Sequence, residues 1–279
     1  MLLLNSPLHC LRKTRCYRKL LESSFNKTKF YNLGFSFPVA LRTLTHASIW
    51  LNKKKLEPHL TKLFERTIWY LDQKNDEGCF YDVGANIGLY SWACRQMSST
   101  RKILAFEPDP ENFELLEKTK EKSTIKNINL YNIALSKRKK TVSFQQDKLT
   151  SATGMISNDQ TPWVKKYLGQ DTISIQVSTD YLDNKTFEKH WPSIIKIDVE
   201  GHELEVLEGG AKKLSKYKPL LLIESFPPNQ QKVINLLSNI GYKFWDPDLG
   251  QLLNAQTTNL FAFHEDGPLG TMEVKKLLQ

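Results

Sequence analysis

Four cysteines in 279 residues, Cys10, Cys16, Cys79 and Cys94, are too few to staple a chain of this size. No two of them have the Cys-x-x-Cys spacing of a zinc ribbon or a redox pair. They are read as reduced thiols of a cytosolic protein. Long apolar runs are also missing: the longest, near Leu2 to Leu4 and Pro219 to Ile223, fall far short of the ~20 residues of a membrane helix. A secretory signal is disfavoured, because Asn5 and then Arg12, Lys13, Arg15, Arg18 and Lys19 stand where its apolar segment belongs. An acid-poor, arginine-rich start is also the composition of an organelle transit peptide, so a cytoplasmic address is the expectation and an organellar one stays open. There is no internal repeat and no low-complexity tract. With 40% apolar, 11% aromatic and 25% charged residues, disordered, collagenous and coiled-coil chains are excluded.

Acids are scarce only at one end. Residues 1–55 hold eleven Lys and Arg and a single acid, Glu22, which accounts for the whole formal surplus of +9. The segment Leu11 to Leu21 has the pattern of a short helix with Leu and Tyr between basic residues. It would suit an anionic membrane surface, making the protein peripheral to a membrane, or a polyanion. The preferred reading is a solvated, partly helical extension lying on a main domain that runs from residue 56 to 279.

From there on, strands alternate with helices, the signature of a parallel α/β sheet. The pattern predicts helices over Glu57 to Leu71, Gly88 to Met97, Pro110 to Lys122, Gly201 to Leu214 and Asn229 to Ile240. Strands are predicted at Cys79 to Val83, Ile103 to Phe106, Asn129 to Ile133, Ser193 to Ile197, Leu220 to Ile223, Tyr242 to Trp245 and Asn259 to Phe263. Between the third and fourth strands, alternating runs at Thr141 to Phe144 and Thr172 to Thr179 flank a polar stretch, which reads as an inserted β segment.

Three motifs carry chemistry. In Tyr81-Asp82-Val83-Gly84-Ala85-Asn86-Ile87-Gly88 a strand runs into a glycine-bearing turn and a helix start, where backbone amides can hold a polar ligand. The dinucleotide fingerprint fails at Asn86 and Leu89, and no P-loop lysine follows. Glu107 ends the next strand at the distance where an acid accepts hydrogen bonds from both ribose hydroxyls. A nucleoside without a pyrophosphate, read by Asp-x-Gly-x-x-x-Gly, points to S-adenosylmethionine. In Ile194-Ile195-Lys196-Ile197-Asp198-Val199-Glu200-Gly201-His202 a buried strand delivers Asp198, Glu200 and His202 to the carboxyl edge of the sheet, where open α/β folds bind ligands.

YDVGANIGLYS, AFEPDPENFELL, NIAL and IKIDVEGHELEVLEGG together resemble the FkbM-type family of S-adenosylmethionine-dependent methyltransferases over about residues 79 to 245. The resemblance implies a class I, Rossmann-like fold: a seven-stranded, mostly parallel sheet in the order 3-2-1-4-5-7-6. It implies O-methylation, often of sugars or polyketide-like products. Carried over, Asp82, Gly84, Ala85, Asn86 and Gly88 form the cofactor loop and Glu107 is the ribose acid. Asn132 and Ala134 lie beside the adenine, and Asp198 to His202 is the reaction edge. Where the family shows Thr-Leu-Asp before its fourth strand, this chain has Ser178-Thr179-Asp180-Tyr181-Leu182-Asp183.

The expected activity is methyl transfer to a hydroxyl of a sugar, glycan or natural product. His202 is the first candidate base, Asp198 orients it or the acceptor, and Glu200 and Glu224 are further acceptors. Asp198, Glu200 and Glu224 also have the oxygen chemistry of Mg²⁺ ligands, a use kept as the minor alternative. The other readings are an interaction module that binds cofactor without turnover, and an RNA- or protein-directed enzyme guided by the basic arm. Base methylation is disfavoured, because Asp198-Val199-Glu200-Gly201 stands where Asn/Asp-Pro-Pro-aromatic is needed. Trp163, Tyr167, His190, Trp191 and Trp245 are aromatic candidates for stacking on a sugar, none of them preferred over a core role.

Overall fold

The computed structural model describes residues 7–51, 57–157, 165, 166, 169 and 172–278; Trp163 and Tyr167 lie outside them. The chain begins with helices α1 (Pro7–Arg12) and α2 (Arg15–Leu21), strands β1 (Thr28–Tyr31) and β2 (Val39–Arg42), and helix α3 (Ala47–Leu51). Helix α4 (Pro58–Gln73) leads into β3 (Cys79–Val83), α5 (Leu89–Met97), β4 (Ile103–Phe106), α6 (Pro110–Lys122) and β5 (Ile128–Tyr131). Four strands follow, β6 (Ala134–Leu135), β7 (Lys140–Gln146), β8 (Met155–Ile156) and β9 (Ile173–Asp180). The chain then returns through β10 (Pro192–Ile197), α7 (Glu203–Glu208), α8 (Ala211–Tyr217), β11 (Leu220–Glu224), α9 (Asn229–Asn239), β12 (Lys243–Trp245), β13 (Asn259–Phe263) and α10 (Thr271–Leu278).

The main sheet has seven strands in the order β12-β13-β11-β10-β3-β4-β5. Strands β3, β4, β5, β10 and β11 pair in parallel, whereas β13 runs against both of its neighbours. Each central strand is apolar on two faces, as a sheet covered by helices on both sides requires. Phe80, Ile103, Ala105, Ile194 and Leu222 face α4, α5, α6 and α10. Their immediate neighbours Tyr81, Leu104, Phe106, Ile195 and Leu221 face α7, α8 and α9. The strands β6 to β9 form a separate four-stranded sheet in the order β6-β9-β7-β8, which is the inserted segment. Among the described residues no helix is long and apolar enough to cross a membrane.

Two expectations need correction. The helix drawn from Gly201 to Leu214 is two helices, broken at Gly209-Gly210. A Cβ on Gly209 would collide with the Ser136 carbonyl oxygen, so the chain passes too closely for a side chain. Residues 7–51 are also more than the expected solvated helical extension. The helical pattern of Leu11 to Leu21 is interrupted, and Thr14 caps α2 by accepting from Tyr17 N at 3.2 Å. Strands β1 and β2 form a hairpin, and Val39, Ala40 and Leu41 are fully buried in the main core. Ala40 N donates to Thr119 Oγ1 on α6 at 2.9 Å, and the basic residue Arg12 is itself buried, donating to Thr45 O at 2.9 Å.

Because β2 shares the principal core, truncating it should weaken the whole domain. Leu41→Ala is expected to lower unfolding free energy by about 2 to 5 kcal/mol, the range for a buried leucine, in chemical denaturation. A loss below about 1 kcal/mol would show that this N-terminal layer unfolds on its own.

Candidate functional site

The carboxyl ends of β3, β4 and β10 open into a cleft of about 640 Å³ counted to its open mouth. Its floor begins at Gly84, whose φ is +76° and where a Cβ would collide with the Asp198 carbonyl oxygen. Only glycine lets the loops after β3 and β10 close on each other here. Asn86 follows with φ +52° and also lines the cleft. Three other residues expected in the cofactor loop do not line it. Asp82 shares the face of Phe80, so it points under α5 and accepts from Ser91 N at 3.0 Å and Ser91 Oγ at 2.7 Å. Ala85 is buried, its N–H donating to Phe106 O. Gly88 starts α5, packed on Trp92 and Leu116.

Glu107 lines the cleft and is 5% exposed. Its two oxygens accept backbone amides from opposite sides, Asn86 N at 2.6 Å and Asp109 N at 2.8 Å. Each oxygen keeps a further lone-pair direction for a ligand. Burial, reinforced by the Asp109 carboxyl, pushes the Glu107 pKa up to about 8. Ala134 lines the cleft, whereas Asn132 braces the strand end by donating to Glu107 O at 2.8 Å.

The motifs did not reveal the far wall. Phe144, Ser151, Ala152, Gly154 and Ile156 of the inserted segment roof the cleft. The Ser151 carbonyl accepts Asn86 Nδ2 at 2.7 Å and Asn112 Nδ2 at 2.9 Å. Asn112, on the first turn of α6, is 3% exposed and lines the cleft, and its Oδ1 has no hydrogen-bond partner. A buried polar oxygen left open in a cleft wall is a place for a donor from a ligand. Asn112 follows Glu107 by only five positions, so the helix start after the second strand was the available signal. The roof had none, because its contacts are long-range.

At the other end, Asp198, Glu200 and His202 line the cleft. Lys196, missed as a site residue because its strand reads as apolar, is 4% exposed and donates to Asp198 Oδ2 at 2.8 Å. Its ammonium also lies 4.6 Å from the centre of the Tyr90 ring, and Tyr90 donates to Glu57 Oε2 at 3.1 Å. Burial works against the Asp198 charge, but the Lys196 ammonium outweighs it and holds this carboxyl below the usual range. Burial and the Asp198 charge do the opposite to Glu224, which is pushed well above its ordinary value and donates its proton to Asp198. Burial with Asp198 and Glu203 raises Glu200 to about 8. Glu224 stands behind Asp198 rather than in the cleft wall. Burial lowers the His202 pKa in spite of the Glu205 carboxyl 3.5 Å from Nδ1. The ring is therefore neutral near pH 7, with Nε2 2.9 Å from Ser136 Oγ.

Among the described residues no three His, Cys, Asp or Glu side chains converge to hold a metal ion. Asp198 and Glu224 are spent on Lys196 and on each other. The run Leu182-Asp183 is structural: Leu182 is fully buried, and Asp183 accepts the Lys212 and Lys213 amides at the start of α8. Trp245 packs against the core and Trp191 is exposed. Neither they nor His190 line the cleft.

Residues 82–244, more than half of the chain, match the methyltransferase FkbM domain family. A hexuronic acid methyltransferase, AglP, from Haloferax volcanii is 27% identical over 169 residues, covering 60% of this chain and 64% of that protein. Methyltransferase 1 of Beauveria bassiana is 24% identical over 147 residues, 48% of this chain and 59% of that protein. The chain thus spans about three fifths of the length of these two curated relatives. A methyltransferase FkbM crystal structure from Methylobacillus flagellatus aligns with a TM-score of 0.46 at 17% identity, over 67% of this chain and 44% of that one.

The buried acids impose a pH dependence on the free protein. Glu107 and Glu200 titrate near 8 and Glu203 near 7, against ~4.3 for an unfolded glutamate. A raised carboxyl stabilises the fold fully below its unfolded pKa and loses that contribution as pH rises through the folded value. Asp198 acts oppositely, but below the acid range of an ordinary aspartate. The melting temperature is therefore expected to fall between pH 5 and 8, and Glu107→Gln to flatten the slope. A flat profile for the parent protein rejects this assignment.

Proposed function

The chain belongs to the methyltransferase FkbM domain family, and from that premise we propose that it moves a methyl group from S-adenosylmethionine to a hydroxyl of a sugar, glycan or natural-product acceptor. The observation that carries the cofactor reading is Glu107, fixed by the Asn86 and Asp109 amides with its outer lone pairs free, beside the unpartnered Asn112 Oδ1. A carboxyl group so held suits the paired hydroxyls of a ribose, and an amide oxygen without a partner suits an amino group on a base edge. The close approach at Gly84 leaves the cleft floor free of side-chain bulk. These features fit the nucleoside part of the cofactor, with Ala134 and the roof residues as its apolar walls.

When bound, S-adenosylmethionine supplies an already activated methyl group. The residues of the chain then have to align the acceptor oxygen, exclude water and receive a proton. His202 is neutral, with a ring nitrogen able to take that proton, and Ser136 Oγ holds its orientation through Nε2. Asp198, kept ionised by Lys196, accepts a hydrogen bond from the acceptor hydroxyl and favours the cation formed on His202. Glu200 and Glu224 hold their own protons near neutral pH and serve as donors to Asp198 or the acceptor rather than as bases. Among the described residues no three such acids converge on a metal ion, and no step is assigned to Mg²⁺. Among the described residues, the cleft lining carries Glu107, Asp109, Asp198 and Glu200 and no Lys or Arg. That supports a neutral hydroxyl group at the reacting position even on an acidic sugar of the kind named for the Haloferax relative.

Glu107→Ala is expected to weaken S-adenosylmethionine binding by about tenfold or more, since it removes two hydrogen bonds to the ribose, each worth about 0.5 to 1.5 kcal/mol. Calorimetric titration measures this, and unchanged affinity rejects the ribose role. His202→Ala is expected to keep cofactor affinity and to lower turnover on a hydroxyl acceptor by about 10²-fold. Parent-like turnover would remove His202 from the mechanism.

A further inference from the structure

The N-terminal layer has a domain side and an outer side. On the domain side, Tyr17 and Leu21 of α2 pack with Leu44 and with Leu149 of the inserted segment, and Tyr17 Oη donates to Leu44 O at 2.7 Å. Arg12 and Arg42 are used internally, the first on Thr45 O and the second in an ion pair with Glu111. What this layer exposes therefore points away from the domain. Lys13, Arg15, Lys19, Lys27 and Lys29 are all exposed, and none has an ion-pair partner among the described residues. Glu22 is the only acid in the segment.

Large apolar side chains of the same layer are also exposed: Leu11 at 52%, Leu20 at 37%, Phe25 at 68% and, on the face of β1 opposite Lys29, Phe30 at 43%. On α2, Arg15 and Lys19 are one turn apart, and Leu20 follows Cys16 on the adjoining line. The Arg15 and Lys19 line lies opposite the buried Tyr17 and Leu21, and the Leu20 line flanks it. Exposed leucines and phenylalanines cost hydration free energy, and their exposure is unexplained by charge-only binding. A polyanion such as RNA is bound through phosphates, bases and sugars and has no use for aliphatic leucines. A bilayer with anionic headgroups uses both components at once, attracting the cations and taking the apolar side chains into its interface.

We infer that the outer side of residues 7–51 is a docking surface for an anionic lipid bilayer, on which the protein rests peripherally. Leu11, Leu20 and Phe25 enter the headgroup boundary, and the exposed Lys13, Arg15, Lys19 and Lys27 hold the layer against it. This inference is independent of the methyltransferase reading, since lipid binding is measured without cofactor or acceptor.

The test is co-sedimentation of the full chain with phosphatidylcholine vesicles and with vesicles that also contain phosphatidylserine. The expected result is binding to the anionic vesicles alone, weakened at high salt. Removing three cations, in Lys13→Ala/Arg15→Ala/Lys19→Ala, is expected to lower the partition coefficient by about 100-fold. A Leu20→Ser/Phe25→Ser variant is expected to lose binding as well while keeping all charges. Both sets of positions are exposed, so parent-like melting in circular dichroism should confirm that the variants fold. Equal sedimentation with neutral vesicles overturns the inference. Parent-like binding by either variant also overturns it, and retention by the Leu20→Ser/Phe25→Ser variant is the behaviour of a site that uses charge alone.

Discussion

A single buried ammonium governs the carboxyl edge of the sheet. Lys196 stands directly opposite Asp82 in the β10–β3 register, donates to Asp198 and lies against the Tyr90 ring. Burial opposes its charge, and Asp198, Asp82 and Glu57 together more than restore it. Removing one member of such a group leaves an uncompensated buried charge, a far larger penalty than the pair's net worth. The same cation decides where protons reside. Asp198, touching Lys196, stays ionised, whereas Glu224 and Glu200, which face Asp198, keep their protons. The contrast between neighbouring carboxyls, which gives them different chemical roles, follows from one lysine in a strand.

The legible parts were those set by short-range pattern. Strands β3, β4 and β13 fall where apolar runs bounded by turn residues predicted them, because a strand covered on both faces is written continuously in the sequence. Gly84, Asn86, Glu107, Ala134, Asp198, Glu200 and His202 were all legible, and the structure gathers them in one cleft. The illegible parts depend on facing and on distant contacts. Asp82 belongs to the cofactor motif by sequence, but its place in the alternation of β3 sends it beneath α5 to Ser91. Asn132 likewise holds a strand end instead of facing a ligand. Lys196 was hidden by its apolar neighbours, and the helix break at Gly209 came from a close approach to Ser136 that no local signal announces.

The roof shows how distant segments set the polarity of a site. Asp147, 1% exposed, organises the turn from within by accepting Leu149 N at 2.8 Å, Thr150 N at 3.0 Å and Thr153 Oγ1 at 3.0 Å. Leu149 is then covered by Tyr17 from the N-terminal layer. At its tip, Ser151, with φ +54°, directs its carbonyl at two side-chain amides, those of Asn86 and Asn112. An amide that donates to the roof must present its oxygen elsewhere. For Asn86 that oxygen turns to the Ile87 amide at 2.7 Å; for Asn112 it is left open at the cleft wall. The roof thus leaves Asn112 with a buried acceptor oxygen that has no partner. The inserted segment, far from the motifs in sequence, completes the cleft wall that the motifs begin, and the N-terminal layer packs on that segment through Tyr17 and Leu149.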